Sequence, residues 1–260
     1  MASRAQIAQD DSMSVGRVYQ RAFATIASNP GATLGVAFLL GGVPGAAISW
    51  LVGTVSSAEE TSSEFAWGAG VLVLASYVAM LVASALVQGA LTRATIAESL
   101  GRKASIGECL SAALAVVVPL VVLVVLWALG IMAGAMFFVV PAAILASMWA
   151  VAVPVMVEER TGIGASFGRS RALTKGNRWK VFGALLILLI AYYLLLGVLA
   201  VIFGVEAALG DTATPGVLFS TVLSGTLFAA LWGTLAPSMY VDLRNAKEGG
   251  SLEHLEEVFS

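Results

Sequence analysis

Long apolar runs separated by short charged segments dominate the chain. Five runs carry no charged residue: 22–58, 65–92, 109–157, 181–205 and 212–241. A helix crossing a bilayer needs about 20 predominantly apolar residues. Hydrocarbon offers no partner to backbone groups, so the helix must satisfy its own. Four of the runs hold one such helix each. The run from Cys109 to Val157 is long enough for two, and Gly130, Gly134 and Ala135 offer a tight turn midway. The pattern predicts an all-α polytopic membrane protein with six transmembrane helices, near 33–54, 68–91, 112–130, 136–157, 181–203 and 217–239.

The polar segments have a period of their own. Three of them share an apolar-Gly-x-x-apolar pattern, beginning Val15-Gly16, Ile106-Gly107 and Ile163-Gly164. At 100° per residue, Val15, Val18, Tyr19, Ala22 and Ile26 fall on one face, with Arg17, Gln20, Arg21 and Ser28 opposite. In the third segment Ile163, Phe167, Ser170, Leu173 and Thr174 share a face flanked by Arg169, Arg171, Lys175 and Arg178. Such stripes predict helices lying in the interface plane, at 14–28, 105–113 and 162–175. Asn29-Pro30, Pro119 and Asn177 mark where each would turn into its span. One membrane domain, 1–240, is then three repeats of interfacial helix plus transmembrane hairpin, approximately 14–92, 105–157 and 162–240. Residues 241–260 form a short acidic tail.

Sorting charge by loop fixes an orientation. Arg4, Arg17 and Arg21 precede span 1; Arg93, Arg102 and Lys103 separate spans 2 and 3. Arg160, Arg169, Arg171, Lys175, Arg178 and Lys180 separate spans 4 and 5, and Arg244 and Lys247 follow span 6. All fourteen Lys and Arg residues fall on one side. The opposite loops carry Glu59, Glu60, Glu64, Glu206 and Asp211. The positive-inside rule makes the basic side, and both termini, cytoplasmic. The same cations would meet anionic headgroups, each contributing about 1 kcal/mol near the surface.

Composition narrows the chemistry. Mean hydropathy is +0.92, with 59% hydrophobic and 12% charged residues, outside the range of soluble domains. The first thirty residues lack a basic segment leading into a short apolar core, which argues against a cleaved signal peptide. Cys109 is the single cysteine and His254 the single histidine, so the expectation is no disulfide, no metal and no cofactor. No predicted span carries a charged residue, which disfavours proton-coupled transport or acid/base catalysis within the bilayer. Nothing points to nucleic acid. Thr221, Gly225, Ala229 and Gly233 recur every fourth residue, and Gly41 with Gly45 repeats the spacing. Such stripes let helices approach closely, within the bundle or, less readily, between copies. Trp50, Trp67, Trp179 and Tyr240 fall where interfacial anchors belong.

Two stretches carry a family resemblance. Pro154-Val155-Met156-Val157-Glu158, Gly162, Arg169-Ser170, Leu173-Thr174-Lys175-Gly176 and Trp179 form one; Tyr240-Val241-Asp242-Leu243-Arg244 with Lys247-Glu248-Gly249 forms the other. Together they resemble the bacterial glycerophosphoryl diester phosphodiesterase membrane-domain family of six-helix inner-membrane proteins. The resemblance implies an inner-membrane protein without the soluble phosphodiesterase half, hence no enzyme.

The expectation is a non-enzymatic scaffold or accessory subunit in envelope or lipid physiology. Its partners would be membrane lipids, a second copy or another membrane protein. The rival readings are a transporter or channel for lipids or small neutral solutes, and a membrane enzyme acting on lipid headgroups. Charges at a half-dry interface seek counter-charges. The candidate headgroup network is therefore Glu158, Arg169, Arg171, Arg178, Asp242 and Arg244. In it Glu158 pairs with Arg169, Asp242 joins the same cluster, and Arg171 and Arg178 face lipid phosphate.

Overall fold

The computed structural model describes residues 13–56, 63–203 and 214–249. Arg4, Glu59, Glu60, Glu206, Asp211, His254 and most of the acidic tail lie outside them. Every regular element among the described residues is helical. They are α1 (Val15–Ser28), α2 (Pro30–Ala37), a π-helical turn (Phe38–Gly42), α3 (Val43–Ser56), α4 (Ser63–Ser99) and α5 (Ile106–Leu114). There follow α6 (Val117–Phe137), α7 (Val139–Met148), α8 (Ala152–Glu159), α9 (Ile163–Thr174), α10 (Arg178–Phe203), α11 (Pro215–Arg244) and a second π-helical turn (Asn245–Gly249). Six helical segments are long and apolar enough to cross a membrane, as the charge-free runs require. The fold is that of a multi-pass membrane protein.

Proline chemistry explains the two irregular spans. In span 1, Pro44 lacks the N–H that would bond the Leu40 carbonyl. The chain widens into a π turn just before it, closed by Val43 N–H donating to Phe38 O. In span 4, Pro154 would clash with the carbonyl of Ala150 in a continuous helix. The helix therefore stops at Met148 and restarts at Ala152. Ala152 N turns to Trp149 O at 3.1 Å, which releases the Met148 carbonyl. A continuous fourth span over 136–157 is thus corrected to two helices with a break between.

The turn between spans 3 and 4 is not at Gly130–Ala135 but at Phe138, whose backbone is extended (φ −178°, ψ 163°). The glycines lie inside α6 and serve packing. A Cβ on Gly134 would sit 3.0 Å from Ala142 N across the hairpin, and one on Gly130 2.4 Å from the Trp149 ring. Pro119 likewise sits within the first turn of α6, and the second interfacial segment ends at Ala115–Val116 instead. Asn29 does cap its helix, accepting from Ala32 N, with Pro30 at the first helical position. Helices α4 and α11 run past the ends of their apolar stretches, because hydropathy marks the bilayer and not the helix terminus.

α1, α5 and α9 occupy the three amphipathic segments. The apolar face of α1 is covered by protein: Val18 and Ala22 are buried with Leu235, Met239, Tyr240 and Leu243 of α11 and with Val181, Ala184 and Leu188 of α10. Helix α5 packs Cys109 and Ala113 against Ala90, Leu91 and Ala94 of α4. A third cluster joins Leu120 and Leu123 of α6 to Ala85 of α4 and to Ala152 and Met156 of α8. The small-residue stripe of α11 is used inside the bundle. Gly42 lies against Thr226 and the Val222 carbonyl, Gly41 against Ala229, and Gly233 against Leu91.

Candidate functional site: a charged ring at the basic end of the bundle

The left-handed residue Arg160 (φ 49°) ends α8, and the chain turns back into α9. Their antiparallel course brings the far end of α9 to the break in span 4. Ser170 Oγ donates to the freed Met148 carbonyl at 2.9 Å, and Thr174 Oγ1 lies 3.3 Å from the same oxygen. Phe167 meets Trp149 with ring centroids 4.9 Å apart. The orphan carbonyl would be costly in a low-dielectric interior. Helix α9 is thus the cap of a broken span, folded against protein along its buried side.

On another side of α9, charges close into a ring. Arg169 Nε donates to both carboxylate oxygens of Glu159 at 3.2 Å, and its Nη2 pairs with Glu248. Glu248 also receives Arg244 Nε at 2.8 Å. Arg244 Nη1 donates to Tyr240 Oη at 3.3 Å, and Tyr240 Oη donates to Glu159 Oε1 at 3.0 Å. Glu248 and Glu159 together hold the Arg169 guanidinium above its ordinary pKa. Lys247 Nζ donates to Ala172 O, so the π-helical turn after α11 clasps the C-terminal half of α9.

The ring corrects several expectations. Arg169 takes Glu159, not Glu158, because Glu159 immediately precedes the chain reversal and faces the returning helix. Tyr240 is not an exposed anchor: it is 1% exposed and carries the hydroxyl that joins Glu159 to Arg244. Asp242 does not join Arg169. It accepts Ser14 N at 2.9 Å and Arg17 Nε at 3.1 Å from the start of α1. Residues two apart on a helix point about 200° apart, so α11 gives Tyr240 and Arg244 to α9 and Asp242 to α1. Glu248 enters the ring although the sequence marked it only as part of a motif. Its i, i+4 spacing from Arg244 was the available signal.

Arg171 and Arg178 stand outside the ring. Arg171 is exposed in the last turn of α9. A left-handed Gly176 (φ 92°) turns the chain into α10, which begins Arg178-Trp179-Lys180. Trp179 is 82% exposed, and among the described residues Arg178 Nε is buried without a hydrogen-bond partner. Positive charge at the positive end of a helix dipole is unfavourable without an anion nearby.

The geometry defines a six-span membrane protein whose basic end is tied by a closed polar ring. The chain matches no family model, no curated protein and no solved structure.

Proposed function

We propose that the protein is a non-enzymatic integral membrane protein, a scaffold or accessory subunit in envelope or lipid physiology. Its basic face lies in the cytoplasm of a bacterial cell and binds anionic lipid. The observation that carries this reading is the cluster Arg171, Lys175, Arg178 and Lys180 beside the exposed Trp179, with Arg178 Nε lacking an acceptor among the described residues. Phosphate matches a guanidinium's planar fork, and an indole at the same level suits the headgroup layer. The charge asymmetry supports the cytoplasmic orientation, and the resemblance of two stretches to the phosphodiesterase membrane-domain family agrees with an inner-membrane location. Reporter fusions at Ser62 and Ser260 test the orientation: an outward C-terminus or an inward residue 62 overturns it.

Lipid retained by the purified protein tests the rest. Arg178→Gln and Arg171→Lys should each lower bound phosphatidylglycerol relative to Arg102→Ala. Equal retention by all three would reduce the cluster to an orientation signal. The break in span 4 and the π turn in span 1 favour a second reading, a transporter of lipids or small neutral solutes, because irregular backbone at membrane depth often borders a path. Against it, the freed carbonyl is already taken by Ser170. Protein-dependent lipid or solute flux in vesicles would decide for transport.

A further inference from the structure

A separate feature lies on the other side of α11. An open cavity of about 520 Å³ sits between α1, the end of α4 and the end of α11, lined among others by Arg17, Gln20, Arg21, Glu98, Ser99 and Asn245. Its size falls within the about 300–1,000 Å³ of small-molecule sites. Arg17 and Arg21 are one turn apart on α1 and share a face. Asp242 fixes Arg17 through Nε. Arg21 makes one long bond, 3.4 Å to Ser238 O, and among the described residues it forms no ion pair. Glu98 accepts from Thr25 Oγ1 at 3.5 Å, and among the described residues it meets no cation.

A guanidinium and a carboxylate therefore border one cavity from two helices without meeting each other. Opposite charges left apart at a half-dry boundary are costly, and a ligand with both charges would satisfy them together. The C-terminus of α4, which ends at Ser99, adds the negative end of its dipole beside Glu98. The anion side of the cavity is α1; the cation side is the end of α4. We propose that this cavity binds a zwitterionic phosphoethanolamine group, its phosphate on Arg21 and its ammonium on Glu98.

The proposal is independent of the cluster around α10, which concerns net-anionic lipid. Three N–H donors of a primary ammonium can bond Glu98, whereas a trimethylated choline has none, and a glycerol headgroup lacks the cation.

The test uses the full chain in detergent, titrated with short-chain phosphatidylethanolamine and phosphatidylcholine, and with free O-phosphoethanolamine. The ethanolamine lipid should bind about tenfold tighter than the choline lipid, the usual scale for charge-assisted hydrogen bonds. Glu98→Gln should erase the preference for ethanolamine over choline while leaving phosphate-dependent binding. Arg21→Gln should weaken both, and Arg93→Gln, which faces Glu108 away from the cavity, should leave the selectivity unchanged. Binding of O-phosphoethanolamine as tight as the lipid assigns the free headgroup as ligand; binding of the lipid alone assigns the membrane. Equal affinity of the wild-type chain for the ethanolamine and choline lipids overturns the proposal, with no variant needed. So does a Glu98→Gln protein that keeps the ethanolamine preference.

Discussion

Replacing Gly42 by alanine tests how the first span meets the last. A Cβ at Gly42 would stand 2.2 Å from Thr226 Oγ1 and 2.7 Å from the Val222 carbonyl oxygen. Rotation of Thr226 relieves the first contact. The second is backbone to backbone, so α11 and the π turn must separate by several tenths of an ångström. Overpacking of this kind costs about 1–3 kcal/mol, partly offset by about 1 kcal/mol of helix propensity gained from losing a glycine. Gly45→Ala is the control: it gains the same propensity and meets nothing within 4 Å. The propensity gain cancels between the two variants, so they should differ by about 1–3 kcal/mol, or about 2–12 °C in apparent Tm for a chain of this size. Thermal unfolding in detergent, read by the surviving monodisperse fraction, should place Gly42→Ala below wild type and Gly45→Ala at or above it. Thr226→Ala should restore only part of the loss, because the carbonyl contact remains. Coincident melting of the two alanine variants would refute the close approach.

The charged ring and the capped break supply further expectations. Tyr240→Phe removes the hydroxyl between Glu159 and Arg244 and should cost about 1–3 kcal/mol, read against Tyr77→Phe on an exposed face. A Tyr240 variant as stable as the Tyr77 one would mean the ring carries no weight. Ser170→Ala should destabilise by about 1–3 kcal/mol as the Met148 carbonyl loses its donor. Combined with Thr174→Val the loss should exceed the sum, and simple additivity would argue against a shared carbonyl. Cys109 is buried against α4, and burial, with Glu108 adding and Arg93 opposing, raises its pKa to about 11. Little thiolate is present at pH 8, so maleimide should label it only after unfolding; prompt labelling of the native protein would contradict its placement.

Much of this protein is legible without coordinates. Six spans and the three amphipathic segments follow from hydropathy and period, because a bilayer imposes the same demand on every helix regardless of its neighbours. Asn29-Pro30 shows its turn for a similarly local reason: a side-chain acceptor and a missing N–H act on adjacent residues. Which groups meet is not legible in the same way. Glycine permits a turn at Gly134, but its use depends on Ala142 across the hairpin. Pro154 was visible, yet that its break would be healed by Ser170, sixteen residues on, required knowing that α9 folds back on α8. The choice of Glu159 over its neighbour Glu158, and of Arg17 over Arg169 for Asp242, turned on a helix rotation of 100° or 200°. Hydropathy is blind to that rotation at a helix end, where both faces are polar. Tertiary packing decided it, because only the positions of α1 and α9 around α11 determine which charge each side meets.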